Sequence, residues 1–358
     1  MPSASSASET IAERLRDGGG AVRVRGAGTK DWGRPLDELG VLDTSGLDAI
    51  VSHDPGDFTA VLEAGVPLEA AQARFAEHGQ MLALDPPPGG TIGGVVATAD
   101  SGPLRHRYGA PRDLVIGIAL ALADGTVARS GGRVIKNVAG YDLPKLAAGS
   151  YGTLGVITEV CVRLHPRPSG TATAVLRHDD PEELQRTALD LAARPIEAEA
   201  LDVRWDGAGG AVLARFAGAA GADRAGALGG ETVTDDDELW DAQRAGQRGP
   251  VVLRVLGLPA DLAKVLRVAA EHGATAVGRA GVGTTWLRLD GATPDTVAAV
   301  RAALRPHPVV LTDAPSELRA AVDPWDVPEG PELELMRRVK ERFDPEGRCN
   351  PGLFAGGI

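Results

Sequence analysis

The chain has 358 residues, 43% hydrophobic and 24% charged, with a formal net charge of −12. Its length accommodates two domains with separate cores, and its composition excludes a disordered chain or a fibre. An acidic chain whose arginines are dispersed among acids is a poor partner for nucleic acid, and no apolar run approaches the roughly 20 residues of a membrane-spanning helix. The opening "MPSASSASETIAERL" has no basic region followed by an apolar core, so it is not a secretory signal, and its first eight residues read as a frayed tail. Cys161 and Cys349, the only cysteines, cannot build a disulfide framework, and a reducing cytoplasm fits.

In chain order, "AVRVR" (21–25) is a short strand running into the Gly-rich turn "GAGTKDWG". "DFTAVLEAG" (57–65) alternates as a half-buried strand does, Phe58, Ala60 and Leu62 against Thr59, Val61 and Glu63. "PLEAAQARFAEHG" is an amphipathic helix with Pro67 at its start, Leu68, Ala71 and Phe75 on one face, and Gly79 at its end. Residues 114–130 are two strands around Asp124-Gly125, a strong hairpin signal. Residues 155–166 form another alternating strand, and "HPRPSG" after it is the best domain boundary. Beyond it, 251–312 follow the order β-α-β-β-α-β, the ferredoxin-like pattern, and 172–233 repeat it more weakly. Residues 169–330 therefore read as one α+β domain built from two such units sharing a sheet. "PELELMRRVKERFDPEG" is a helix with Leu335, Met336, Val339 and Phe343 on one side, and the turn-rich tail after it must dock on something already folded.

Four Gly-rich segments before residue 168 are the candidate binding elements. The first, Gly26-x-Gly28, lacks the third glycine of GxGxxG and has no amphipathic helix behind it, so a nicotinamide Rossmann domain is not indicated. It is either an anion-binding nest of backbone N–H groups or a plain loop. The second, "DPPPGGTIGGVVAT", has prolines that stiffen the approach to Gly89, Gly90, Gly93 and Gly94, with Thr91 offering a hydroxyl; alone it is equally a rigid turn. The third, "SGPLRHRYGAPRD", gathers Arg105, His106, Arg107, Tyr108 and Arg112, suited to a phosphate or to ordinary surface ion pairs. The fourth runs through "IKNVAGYDLPKLAAGSYGTLGVITE" into a strand. Repeated glycine is costly in conformational entropy, which points to a large planar ligand lying against backbone. Redox chemistry here would need an organic cofactor.

"RGAGTK", "PPPGGTIGGVVAT", "NVAGYDLPKL…GSYGTLGVITE" and the terminal "RFDPEGRCNPG" together resemble the FAD-linked oxidases of the vanillyl-alcohol-oxidase or PCMH type, in order and approximate spacing over nearly the whole chain. Within that family the resemblance is strongest to the E-type, FAD-binding subunits of glycolate oxidase. It implies an α+β fold: a PCMH-type FAD-binding domain of two α+β subdomains over 1–168, a ferredoxin-like α+β cap over 169–330, and a helix and tail over 331–358 returning to the FAD domain. Carried over by position, Arg25, Gly26, Ala27, Gly28, Thr29 and Lys30 would form the pyrophosphate loop. Pro88, Thr91, Ile92, Gly93 and Gly94 would pass beside diphosphate and isoalloxazine. Ser101, Gly102, Arg105, Tyr108 and Gly109 would lie near the flavin, and Lys136, Asn137, Val138, Ala139, Gly140 and Tyr141 would edge the ring system. Gly149, Gly152, Thr153, Leu154, Gly155, Val156 and Ile157 would cover the adenine and ribose side. Thr29 and Lys30 stand where covalent relatives carry a linking histidine, so non-covalent FAD is expected.

The catalytic relatives also carry a His-rich motif in the C-terminal half, whereas His165, His178, His272 and His307 are solitary here and no metal site is expected. The implied function is an FAD-binding subunit of a glycolate (2-hydroxy-acid) oxidase complex, beside a catalytic FAD subunit and an iron–sulfur subunit, in electron transfer or assembly. It would be cytoplasmic, with any membrane contact borrowed from a partner. One rival is a free-standing FAD-dependent oxidase of a small alcohol or hydroxy acid, with His106, Tyr108 or Lys136 as base or substrate-orienting group. The other is a non-enzymatic scaffold with bound FAD. Arg254, Trp286 and Trp325 could line a cap face, though tryptophan at strand spacing is more often core.

Overall fold

A computed structural model describes residues 6–132 and 142–358, which divide into two compact units. The first comprises residues 1–101, 109–167 and 327–358, the second 102–108 and 168–326. The short piece 102–108, which the sequence places inside 1–168, thus belongs to the second unit.

In the first unit, β1 (Val22–Arg25) and β2 (Gly40–Asp43) pair in parallel, and Val22 also bridges in parallel to Cys349 of the tail. The main sheet uses β3 (Ile50–Asp54) and β4 (Thr59–Glu63); after the short β5 (Gln80–Met81) come β6 (Val115–Ala121), β7 (Val127–Gly131) and β8 (Val156–Arg163). Its order is β3-β4-β8-β6-β7, antiparallel throughout, and β9 (His165–Pro166) pairs with β5. The hairpin at Asp124-Gly125 forms as expected, with Gly125 at φ +85°.

Three expectations change. β4 does not alternate: all five residues are buried, because it lies between β3 and β8 and the helix Ile92–Thr98 packs on it. Phe58 is left outside the strand, 36% exposed and at φ +52°. The frayed tail expected over the first eight residues does not extend through Ser6–Ser8, since a helix runs over Ser6–Asp17 and packs against β6 and β8. Ile11, Ala12 and Leu15 are buried at helical spacing, and the buried Ser8 donates to Thr158 Oγ1 at 2.9 Å. The helix Pro331–Phe343 exposes Leu335 (53%) and Met336 (39%) and buries Leu333 instead. Its anchor is polar: Lys340 Nζ donates to the Thr153 carbonyl at 2.7 Å and to the Cys349 carbonyl at 2.9 Å.

In the second unit, β10 (Thr171–His178), β11 (Ala200–Trp205), β12 (Gly210–Ala217) and β13 (Glu231–Val233) precede β14 (Val251–Leu256), β15 (Thr275–Arg279), β16 (Thr284–Leu289) and β17 (Val309–Leu311). The eight-stranded sheet runs β13-β10-β12-β11-β15-β16-β14-β17. Each half has the first of its strands in sequence between its third and fourth, the ferredoxin-like order, and the halves join edge to edge through β11 and β15. Helices Pro181–Ala193, Leu262–Glu271 and Pro294–Leu304 contribute Leu184, Leu266 and Val297 to the larger core. Helix Asp237–Ala245 sets Trp240 against Val175, Ala200, Ala211 and Leu213 in a second cluster.

Candidate cofactor-binding site

β1 delivers the chain into a turn at residues 26–30 that stays open because no strand follows directly. Gly28 holds φ +70°, a conformation that carries no steric penalty for glycine. The N–H groups of Gly26, Ala27 and Gly28 have no hydrogen-bond partner among the described residues, and all three residues line a cavity of the first unit. A run of free N–H donors in such a turn is an anion nest.

The opposite wall starts at Thr91, which caps the helix Ile92–Thr98 by accepting from Gly94 N at 3.3 Å. The chain here is pressed against its own neighbours. A Cβ at Gly26 would lie 2.7 Å from Thr91 Oγ1, and one at Gly93 would lie 2.7 Å from Ala64 Cβ. These glycines therefore let the cavity's own walls come close together.

Charge in the cavity is largely balanced. Arg23 pairs with Asp31 and with Asp37, the latter at 3.2 Å. Lys30 Nζ is 3.6 Å from Asp100 Oδ2, with both side chains almost wholly buried. The Arg25 guanidinium folds back over Gly28.

Of the residues singled out by the sequence, Arg25, Gly26, Ala27, Gly28, Thr29, Lys30, Thr91, Gly93, Gly94, Gly152 and Ile157 line this one cavity. Pro88 is exposed, and Ile92 points into the core. Ser101 is buried and bonded through its N–H to Asp100 Oδ1. Gly109 turns over Asp113, Gly149 lies against Ala99, and Thr153 Oγ1 donates to the Ser150 carbonyl. Leu154 and Val156 are core, and Gly155 sits 2.9 Å (as a would-be Cβ) from the Ala121 carbonyl. Lys136, Asn137, Val138, Ala139, Gly140 and Tyr141 lie outside the described residues.

Gly102, Arg105, His106 and Tyr108 belong to the second unit. There the Tyr108 hydroxyl donates to the buried Glu199 Oε1 at 2.8 Å. Burial and then that bond push its pKa well up, which favours the protonated phenol at neutral pH. Burial, reinforced by Arg107, lowers the His106 pKa and so favours the neutral imidazole. The later histidines are structural where partnered: His178 Nε2 meets Thr187 Oγ1 at 3.0 Å and His307 Nε2 meets Asp261 at 2.9 Å. Among the described residues, no three His, Cys, Asp or Glu side chains gather as a metal site.

Sequence reasoning missed Thr44, Tyr151, Asn350 and Leu353 in the cavity wall. Tyr151 and Asn350 both stand within the motifs "GSYG" and "CNPG", where the glycines and proline, not these side chains, carry the local sequence signal.

A family model described as an FAD binding domain matches residues 3–131. The chain is 34% identical over 254 residues to glycolate oxidase subunit GlcE of Escherichia coli, covering 66% of this chain and 69% of that one. It is 36% identical over 179 residues to glycolate oxidase subunit GlcD of Bacillus subtilis, spanning 37% of that protein. It is 34% identical over 157 residues to the mitochondrial D-lactate dehydrogenase (cytochrome) 1 of Saccharomyces cerevisiae, spanning 27% of it. Among solved structures, an alkyldihydroxyacetonephosphate synthase matches with a TM-score of 0.66 at 13% identity, over 96% of this chain and 74% of that one, a likeness of fold.

Proposed function

The chain belongs to the FAD-linked oxidoreductases that carry a PCMH-type FAD-binding domain, and from that premise we propose that it is the FAD-binding subunit of a 2-hydroxy-acid (glycolate-type) oxidase complex. The similarity to a glycolate oxidase subunit over two thirds of both chains carries this reading. The cavity fits the cofactor: free N–H groups at Gly26, Ala27 and Gly28 would meet the diphosphate, and Ile157 would face the adenosine half. Bound FAD supplies the two-electron redox chemistry; the protein binds it, excludes water and sets its surroundings. With Thr29 and Lys30 in the loop, attachment is non-covalent.

The partners we infer are a catalytic flavoprotein subunit and an iron–sulfur subunit, with this chain passing electrons or holding the assembly. Among the described residues no helix is long and apolar enough to cross a membrane, so we place membrane contact, where it exists, on a partner. A second reading, a free-standing hydroxy-acid oxidase, draws on the neutral His106 as proton acceptor. Co-expression of the tagged chain with a GlcD-like flavoprotein and an iron–sulfur subunit tests the choice. A stable complex with flavin in excess of the catalytic subunit's own supports the subunit reading; a chain that never associates and turns over hydroxy acid alone supports the second.

A further inference from the structure

Two residues other than glycine in the cavity wall hold left-handed backbone, Tyr151 at φ +55° and Asn350 at φ +46°. Asparagine tolerates that conformation; for tyrosine it is costly and persists only where the surroundings over-determine it. The surroundings here include the other strained residue. Asn350 Nδ2 donates to the Tyr151 carbonyl at 2.8 Å, in a buried bond spanning 199 positions of sequence. The same amide accepts from Val24 N at 2.7 Å through Oδ1. Tyr151 N donates to the Ala97 carbonyl at 2.8 Å, and the Tyr151 ring stacks on Phe354 with centroids 5.0 Å apart. A Cβ at Gly152 would fall 2.8 Å from Asn350 Nδ2, so the turn has been pared down to admit the amide.

One side chain of the C-terminal tail thus ties together two walls of the cavity. Val24 is in β1, directly before the turn with the free N–H groups, and Tyr151 precedes Gly152 on the other side. Each end of the amide makes one of these bonds, Oδ1 with Val24 N and Nδ2 with the Tyr151 carbonyl. We propose that Asn350 is a positioning residue of the cofactor site, and that docking of the tail and binding of FAD are thermodynamically coupled. The inference rests on the reading that this cavity takes FAD. Coupling is reciprocal: a tail that sets the spacing of the walls raises affinity for the cofactor, and the cofactor in turn protects the tail from opening.

Asn350→Gly in the full chain tests this, because glycine keeps the left-handed backbone without strain and removes only the amide. The expected result is FAD affinity at least tenfold weaker than wild type by fluorescence titration. Amide exchange in the apo variant should be faster at residues 22–28 and 151–155, with β6 and β8 unchanged. In the wild-type chain, added FAD should slow exchange in residues 348–354, a response that a purely structural tail would not give. Variant affinity within twofold of wild type overturns the proposal, as does tail exchange in the wild type that ignores FAD; the second measurement stands even if the variant does not fold. A wild-type chain that takes up no FAD at all overturns the cofactor reading, and this inference with it.

Discussion

His106 and Tyr108 sit two residues apart on one short helical turn, and burial acts on them in opposite chemical senses. Desolvation disfavours the charged form of each, so the imidazole loses its proton more easily and the phenol holds its proton more firmly. For His106 the ordinary value is 6.5 and the folded value lies below it. The unfolded chain therefore binds more protons than the folded one in the window between them. Stability rises with pH through that window and falls on acidification below about pH 6.5. We expect His106→Asn to flatten this part of the urea-midpoint profile between about pH 5 and 7.5, and a profile unchanged by the substitution would remove His106 as its source. At this scale the sequence was legible where one residue type serves one backbone need, as at Gly28 and Gly125. It was not legible for Asn350, whose value depends on partners 326 and 199 positions away.

Elements were legible where periodicity or turn chemistry is local. Leu68, Ala71 and Phe75 are the buried face of their helix as read, and the second β-α-β-β-α-β set appears strand for strand. The join between the two halves of the eight-stranded sheet carries no periodic signal, because it depends on which edges meet. It is marked instead by a buried pair: Asp202 and Arg279 are register partners across β11 and β15, and Arg279 Nη1 donates to Asp202 Oδ2 at 2.6 Å. Gln243 Nε2 donates to the same oxygen at 2.9 Å, and Arg279 lies over the Trp286 ring. Burial pushes the Asp202 carboxyl upward against the pull of Arg279. Asp202→Ala should destabilise the protein by about 3–5 kcal/mol in urea denaturation, since it strands a buried guanidinium, whereas Asp202→Leu with Arg279→Met should cost much less. Equal losses from the single and double changes would argue against the stranded charge as the cause.

The tail is the second element whose setting sequence could not give. Its helix looked amphipathic through Leu335 and Met336, but these are exposed, and the docking is done by Lys340, Arg348 and Asn350 through backbone carbonyls and amides. Cys349 is fully buried within it, and burial pushes its thiol up to about 12. It should resist thiol reagents in the native chain at neutral pH and react once the tail is released by denaturant. Rapid native labelling at Cys349, located by peptide mass, would show that the tail is not held as described.

At the scale of the whole molecule, the redox chemistry belongs to FAD, the cofactor of the family to which the chain belongs. The family was legible because four Gly-rich segments and the terminal motif stand in a fixed order, and backbone that must admit a ligand constrains sequence more tightly than a generic core does. The detailed wall of the cavity was less legible, because Thr44, Tyr151 and Leu353 reach it from elements whose contacts are set only by the fold. The division of labour within the proposed complex can be read directly from the flavin. The chain, purified alone with FAD bound, would be mixed anaerobically with glycolate or D-lactate while its visible flavin band is followed, then mixed again with the catalytic and iron–sulfur subunits. A chain that works as such a subunit keeps its band unchanged in isolation and bleaches only when the partners are present; prompt bleaching of the isolated chain would contradict that role.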